Sequence, residues 1–131
     1  MTPPGPRQPV SPKRILVAED DPLVAHTIRM ALVVDGYTVQ MAQDGEQALA
    51  MFKDGDYDLV ITDFRMAKMD GLELAEAIKK LSPAKPIILI TAFLEAIKTS
   101  MGNVSNVDLL LGKPFSVRDL RAALTKFFAD R

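Results

Sequence analysis

The sequence predicts an α/β fold in which a five-stranded parallel sheet carries helices on both of its faces. Two observations predict it. Five short apolar runs, rich in β-branched residues, alternate with segments that have the period of amphipathic helices. Four of the five runs are almost continuously apolar, which is typical of strands buried on both faces. With 131 residues and no internal repeat, the chain is predicted to form one domain.

The predicted strands cover residues 14–18, 38–42, 58–62, 86–90 and 107–111. The second run, TVQMA, alternates between apolar and polar residues and therefore predicts an edge strand. The other four predict strands that are buried on both faces.

The predicted helices cover residues 22–35, 45–54, 71–81 and 116–129. A fifth helical segment, 93–104, is interrupted by Gly102, Asn103 and Ser105. In the first helix the predicted apolar stripe is centred on Leu23, Thr27, Met30 and Val34, and flanked by Val24, Ile28 and Ala31. The predicted apolar positions of the other helices are Ala48, Leu49 and Phe52; Leu74, Ala75, Ile78 and Leu81; and Val117, Leu120, Leu124, Phe127 and Phe128.

Composition excludes several classes of protein. The formal net charge is −1 with acids and bases interspersed, which gives no electrostatic footprint for nucleic acid. No apolar run approaches the roughly 20 residues of a membrane span. The chain has no cysteine, so it has neither a disulfide framework nor a thiolate metal site. Residues 1–13 are rich in proline and predict a disordered or extended tail, and a cytoplasmic location is expected.

Polar residues gather where the predicted strands end. Glu19, Asp20 and Asp21 follow the first strand, and Asp63 ends the DLVITDF segment. Thr91 and Lys113 follow the fourth and fifth strands. In a doubly wound sheet these positions meet at one edge, where such folds bind ligands.

This group of residues predicts a site for a phosphoryl group. Clustered carboxylates repel one another unless a cation relieves them, and oxygen ligands on loops suit magnesium. A magnesium ion, a lysine and a hydroxyl together compensate the charge of phosphoryl oxygens. A remaining carboxylate can then act as the nucleophile and form an acyl phosphate.

Four segments, ILVAEDDP, DLVITDFRMAKMDGLEL, PIILITAF and LLLGKPF, occur in an order that resembles the receiver domain of bacterial two-component response regulators. The resemblance covers about residues 14–129, which are the predicted domain. It implies a flavodoxin-like fold with strand order 2-1-3-4-5. The function it implies is that of a phosphoacceptor signalling module and not of an enzyme.

The resemblance also implies a role for each site residue. Asp63 is the implied phosphoacceptor. Asp20, Asp63 and the backbone carbonyl of Arg65 are implied ligands of Mg²⁺ or Mn²⁺, and Glu19 acts through a bound water. Thr91 and Lys113 are implied to contact the phosphoryl group.

The resemblance further implies that the Lys113–Pro114 peptide bond is cis, and X–Pro bonds are the context in which cis is least unfavourable. Asp21 is not an implied ligand. It is predicted to cap the first helix ahead of Pro22, which suits a first helical position.

Several positions depart from the family pattern. Glu19 stands where Asp is commoner, Ala67 replaces a usual proline, and Arg65 occupies a position at which the family tunes phosphorylation and hydrolysis rates. Leu110 is the largest departure, because the family often carries Tyr or Phe at this switch position. The sequence therefore predicts that phosphorylation is transmitted through the loop after Thr91 and the irregular segment 93–104, without an aromatic switch.

Three other functions compete with that of a phosphoacceptor. A magnesium-dependent phosphatase with an aspartyl nucleophile commonly has a second acid two residues after that nucleophile, where this chain has Arg65. A flavodoxin-like cofactor site needs a polar phosphate loop, and AEDDP would repel a phosphate. A receiver used as a binding platform, with little phosphorylation, remains the alternative.

The expected partners are a histidine kinase or phosphotransfer protein and an unidentified downstream protein, with no nucleic acid and no membrane. The expected protein is a complete single-domain regulator, either a monomer or a weak dimer.

Overall fold

The structure of the protein is a computed structural model that describes residues 12–100 and 105–128. Most of the predicted tail (1–13) and part of the predicted segment 93–104 lie outside these ranges. The described elements are, in chain order, β1 (Arg14–Ala18), α1 (Pro22–Val34), β2 (Thr38–Ala42), α2 (Gly45–Asp54), β3 (Leu59–Asp63), α3 (Gly71–Leu81), β4 (Ile87–Thr91), α4 (Leu94–Ser100), β5 (Leu109–Gly112) and α5 (Val117–Thr125).

The five strands form one parallel sheet in the order β2-β1-β3-β4-β5. This confirms the predicted fold class and strand order. β2 is an edge strand as predicted, and β5 is the other edge. The prediction that the fifth strand is buried on both faces was wrong, because all four residues of β5 are half-buried at that edge.

Alternation along the strands divides the core into two layers. Ile15 and Val17 of β1 belong to the cluster that includes residues of α1 and α5. Leu16 and Ala18 belong to the cluster that includes residues of α2 and α3. Both faces of the sheet are therefore covered, as the apolar runs predicted.

The predicted apolar face of α1 was wrong at its centre. Leu23 is 75% exposed and Val34 is 71% exposed, whereas Ile28 and Leu32 are buried. The pattern misled because this helix carries apolar residues around most of its circumference. Its rotation against the sheet was decided by packing.

The helix starts that position the site are well defined. The side chain of Asp21 accepts hydrogen bonds from the backbone N–H groups of Leu23 and Val24, so the predicted cap of α1 is confirmed. At α3, Asp70 forms a capping box with Glu73.

Gly71 lies so close to the end of β3 that a Cβ there would be 2.2 Å from the backbone oxygen of Asp63. Its N–H also donates to the carbonyl of Phe64 at 2.7 Å. The absence of a side chain at this position therefore lets α3 begin directly against the loop that follows Asp63.

Candidate functional site

The carboxyl edge of the sheet brings four predicted site residues together. Asp63 is the last residue of β3, Glu19 and Asp20 follow β1, and Lys113 follows β5. Glu19 is 3% exposed and Asp63 is 8% exposed, whereas Asp20 is open to solvent. β1 and β3 are neighbours in the sheet, which is why acids distant in sequence share one cleft.

Lys113 joins the two buried carboxylates. Its Nζ lies 3.2 Å from Glu19 Oε1 and 3.2 Å from Asp63 Oδ2. Burial opposes the charged form of this amine, but the carboxylates of Glu19 and Asp63 outweigh that effect and raise the pKa of Lys113. The ammonium is therefore held in its charged form at the centre of the site.

The negative charge of the Glu19 carboxylate is less well compensated by neighbouring groups than the charges of its partners. Burial raises the pKa of Glu19 to about 7, the backbone hydrogen bond from Asp21 opposes the rise, and the nearby Asp63 charge adds to it. Among the described residues, Glu19 Oε1 has no hydrogen bond and only the ion pair with Lys113. A buried carboxylate oxygen in this state is available to a water molecule or a cation.

The three acids have the arrangement of a cation site. One carboxylate oxygen from each of Glu19, Asp20 and Asp63 lies within 4.8 Å of the other two. The donors are all oxygens, which suits a hard divalent ion such as Mg²⁺. The under-compensated oxygen of Glu19 fits the same interpretation, so the residues present are suited to hold such an ion.

Thr91 and Asp63 are each engaged by the loop that follows them. Thr91 is 1% exposed, and its Oγ1 accepts the backbone N–H of Phe93 at 2.9 Å. Asp63 Oδ1 accepts the N–H of Phe64, also at 2.9 Å. The hydroxyl and the carboxylate thus lie at the ends of neighbouring strands, β4 and β3.

Sequence reasoning did not single out Phe93. The Arg65 guanidinium lies over the ring of Phe93, with its carbon 5.2 Å from the ring centroid. Phe93 is 50% exposed, which is unusual for a large aromatic residue next to a buried strand end. The position of Phe93 in the sequence could have indicated it, because Arg65 and Phe93 each lie two residues after a site residue.

The remaining predicted positions lie around this centre. The Lys113–Pro114 peptide bond is cis. Leu110 lies in β5, half-buried and opposite Leu89 of β4. Position 110 therefore carries an aliphatic side chain in an edge strand of the sheet.

Comparison with known proteins identifies the family. Residues 15–125 match the family described as the response regulator receiver domain. The chain therefore belongs to that family, which occurs in signalling proteins of two-component systems.

Two relatives show how much of a longer protein this match represents. The response regulator MprA of Mycobacterium sp. (strain KMS) is 34% identical over 113 residues, covering 86% of this chain and 49% of that protein. The transcriptional regulatory protein ZraR of Escherichia coli (strain K12) is 40% identical over 123 residues, covering 88% of this chain and 26% of that protein. The chain thus spans half or less of the length of these relatives.

Solved structures agree on the fold. The response regulator TrrA of Thermotoga maritima, in complex with Mg²⁺-BeF, has a TM-score of 0.80 and 35% identity, covering 88% of this chain and 98% of that one. The receiver domain of the sensor histidine kinase PA1611 of Pseudomonas aeruginosa, with magnesium in its active site cleft, has a TM-score of 0.80 and 27% identity. It covers 92% of this chain and 100% of that one.

No helix among the described residues combines the length and the apolar character needed to cross a bilayer.

Proposed function

We propose that this chain is a phosphorylation-controlled switch in which Asp63 accepts a phosphoryl group from a histidine kinase or a phosphotransfer protein. The observation that carries the proposal is the buried Asp63 carboxylate, 3.2 Å from Lys113 and grouped with two further acids. An amine and a hard-cation site beside one carboxylate provide positive charge where a phosphoryl group would arrive. We propose that the domain that does this spans residues 14–129.

The transfer would proceed by nucleophilic attack. A carboxylate oxygen of Asp63 forms a bond to phosphorus while the bond from phosphorus to the donor imidazole nitrogen breaks. The electron pair leaves with that nitrogen, and the product on the chain is an acyl phosphate. Hydrolysis by water returns the carboxylate and inorganic phosphate, which resets the switch.

The surrounding residues would hold the phosphoryl group. Lys113 pairs with one of its oxygens, and Thr91 donates its hydroxyl hydrogen to another once it moves toward the group. Asp20, Asp63 and the Arg65 carbonyl would hold Mg²⁺ or Mn²⁺, with Glu19 acting through a water. The ion would supply charge compensation on the phosphoryl oxygens.

The output would be a change in the surface that a downstream protein binds. A ligand or modification shifts a two-state protein only by interacting differently with the two states. The differential contacts here are those of Thr91 and Lys113 with the phosphoryl group. The chain would act in the cytoplasm as a monomer or a weak dimer.

Intact-mass measurement after incubation with acetyl phosphate tests the proposal. We expect wild type to gain one phosphoryl group in the presence of Mg²⁺ and none after chelation. Asp63→Asn should gain none. Asp54→Asn, which removes an exposed carboxylate at the end of α2, is the matched control and should label like wild type.

Absence of labelling in folded wild type with Mg²⁺ would contradict the phosphoacceptor proposal and would favour a binding platform. Labelling of Asp63→Asn at the wild-type rate would place the phosphoryl group elsewhere.

A further inference from the structure

The Arg65–Phe93 pair links the two loops that follow the central site residues. Arg65 belongs to the loop between β3 and α3, and Phe93 belongs to the loop between β4 and α4. The guanidinium lies 5.2 Å from the centroid of the ring, within the range of a cation–π interaction. The pair therefore holds the loop after Asp63 against the loop after Thr91.

The same loop holds the hydroxyl of Thr91. The backbone N–H of Phe93 donates to Thr91 Oγ1 at 2.9 Å. The ring that Arg65 contacts and the N–H that engages Thr91 thus belong to one residue. A movement of the Phe93 backbone away from Arg65 therefore also changes the surroundings of the Thr91 hydroxyl.

The contact between Arg65 and Phe93 is weak enough for a phosphoryl group on Asp63 to compete with it for the guanidinium. Both side chains are solvent-exposed, so the cation–π contact is worth only about 0.5–1 kcal/mol, roughly a factor of two to five in an equilibrium. Because the Asp63 carboxylate already carries one negative charge, its conversion to an acyl phosphate adds about one further negative charge two residues from Arg65, together with three acceptor oxygens. A charge-assisted contact between guanidinium and phosphoryl oxygens is stronger than the exposed ring contact.

We propose that Arg65 and Phe93 form a clamp that holds the β4–α4 loop in its resting position and opens when the site carries a phosphoryl group. This inference rests on the proposed function, since it needs a phosphoryl group at Asp63. Opening frees Phe93 and its backbone N–H, so Thr91 can turn its hydroxyl to the phosphoryl group. The freed loop leads directly into α4, which begins at Leu94.

The clamp gives this chain an aromatic element that position 110 lacks. Leu110 is aliphatic and lies half-buried in β5, whereas Phe93 is half-exposed on a loop. The ring that changes its surroundings is then the one at position 93, and it does so at the molecular surface where a partner can contact it.

A mutant cycle with beryllofluoride as a phosphoryl mimic tests the clamp. The apparent affinity for beryllofluoride is measured at fixed Mg²⁺ by titration followed through amide resonances of the full chain. Phe93→Leu removes the ring but keeps the backbone N–H, and we expect it to tighten binding about two- to fivefold because the clamp no longer has to be broken. Phe93→Tyr keeps the ring and should behave like wild type.

The second arm of the cycle removes the cation. In the Arg65→Gln background, Phe93→Leu should leave the affinity unchanged, because no clamp is present to break. In the Lys68→Gln background, Phe93→Leu should still tighten binding, since Lys68 is a cation of the same loop that pairs with Asp44 and not with the ring. Equal tightening with and without Arg65, or none in either, would overturn the clamp.

Failure of the clamp is distinguishable from failure of the phosphoacceptor proposal. If wild type binds beryllofluoride and takes up a phosphoryl group but the two substitutions are additive, the clamp is wrong and the proposed function stands. If folded wild type does neither, the proposed function is wrong, and the clamp is wrong with it.

Discussion

Charged residues have different roles at the amino edge and at the carboxyl edge of the sheet. At the amino edge, acids and bases precede or begin the strands and are satisfied by neighbouring groups. At the carboxyl edge, two buried carboxylates share one lysine, and one of their oxygens forms no hydrogen bond among the described residues. One end of the sheet therefore uses its charged residues to stabilise the fold, whereas the other end carries the proposed ligand site.

Asp108 and Asp58 show how the amino edge is built. Asp108 Oδ2 accepts the buried backbone N–H of Ile87 at 2.8 Å and the Nζ of Lys79 at 2.8 Å. Asp58 Oδ2 accepts the N–H of Arg14 at 2.7 Å. These carboxylates accept hydrogen bonds from backbone N–H groups at the beginnings of strands, and they thereby stabilise the fold.

Glu19 shows the contrast at the carboxyl edge. Its carboxyl is more deeply buried than that of Asp108, yet its pKa is raised to about 7 because burial outweighs its partners. A raised pKa means that the fold disfavours the ionised form of the group. The molecule thus tolerates an unfavourable carboxylate where the proposed cation would bind.

The largest change in the free energy of unfolding is expected from a substitution at the amino edge of the sheet. Asp108→Ala leaves the buried N–H of Ile87 without its side-chain acceptor and removes the partner of Lys79, so we expect the free energy of unfolding to fall by about 2 kcal/mol. Denaturant unfolding measures it. Asp108→Asn keeps an acceptor oxygen and should lose about 1 kcal/mol or less. An equal loss in both variants would show that the ion pair with Lys79 matters more than the hydrogen bond.

A smaller change in the free energy of unfolding, of opposite sign, is expected at the carboxyl edge of the sheet. In the absence of divalent cations at pH 8, Glu19→Gln should raise the free energy of unfolding by about 1 kcal/mol, because it replaces a poorly compensated buried carboxylate with a neutral amide. The same variant should gain less stability than wild type when Mg²⁺ is added. A loss of stability without Mg²⁺ would show that the Glu19–Lys113 ion pair stabilises the fold, which would remove the contrast between the two edges.

The pH dependence of stability tests whether the unfavourable charge at the carboxyl edge belongs to Glu19. The pKa of Glu19 is about 7 in the folded chain and 4.5 as its reference value, so the folded state binds the proton more tightly between these values. The contribution of Glu19 to stability is therefore present below pH 4.5 and declines as the pH rises through about 7. Thermal unfolding without Mg²⁺, at pH values from 5 to 8, should show a decline in wild type that is reduced in Glu19→Gln. Equal slopes in both proteins would contradict the assignment to Glu19.

The strand pattern was predictable because apolar runs and their alternation follow directly from burial. Ile15 through Ala18 alternate between two covered faces, and either face requires an apolar residue. The end of β1 could be predicted for the same reason, since Glu19 interrupts the run. Spacing along the chain then placed Asp63, Thr91 and Lys113 at strand ends.

The rotation of α1 was not predictable from its pattern. Leu23 and Ile28 are equally apolar, and nothing local distinguishes the one that is 75% exposed from the one that is buried. The contact between Arg65 and Phe93 was hidden for a related reason, because it joins residues 28 positions apart across two loops.

The sequence by itself thus determined which segments form strands and helices, and which polar side chains lie at the strand ends. The alternation of residues along strands and the capping of helices depend on residues close in sequence, so short patterns predict them. Only the tertiary structure decided which face of α1 meets the sheet, that Lys113 reaches both Glu19 and Asp63, and that Arg65 meets Phe93. Those contacts depend on the distances between elements, and distances are set by the packing of the whole sheet.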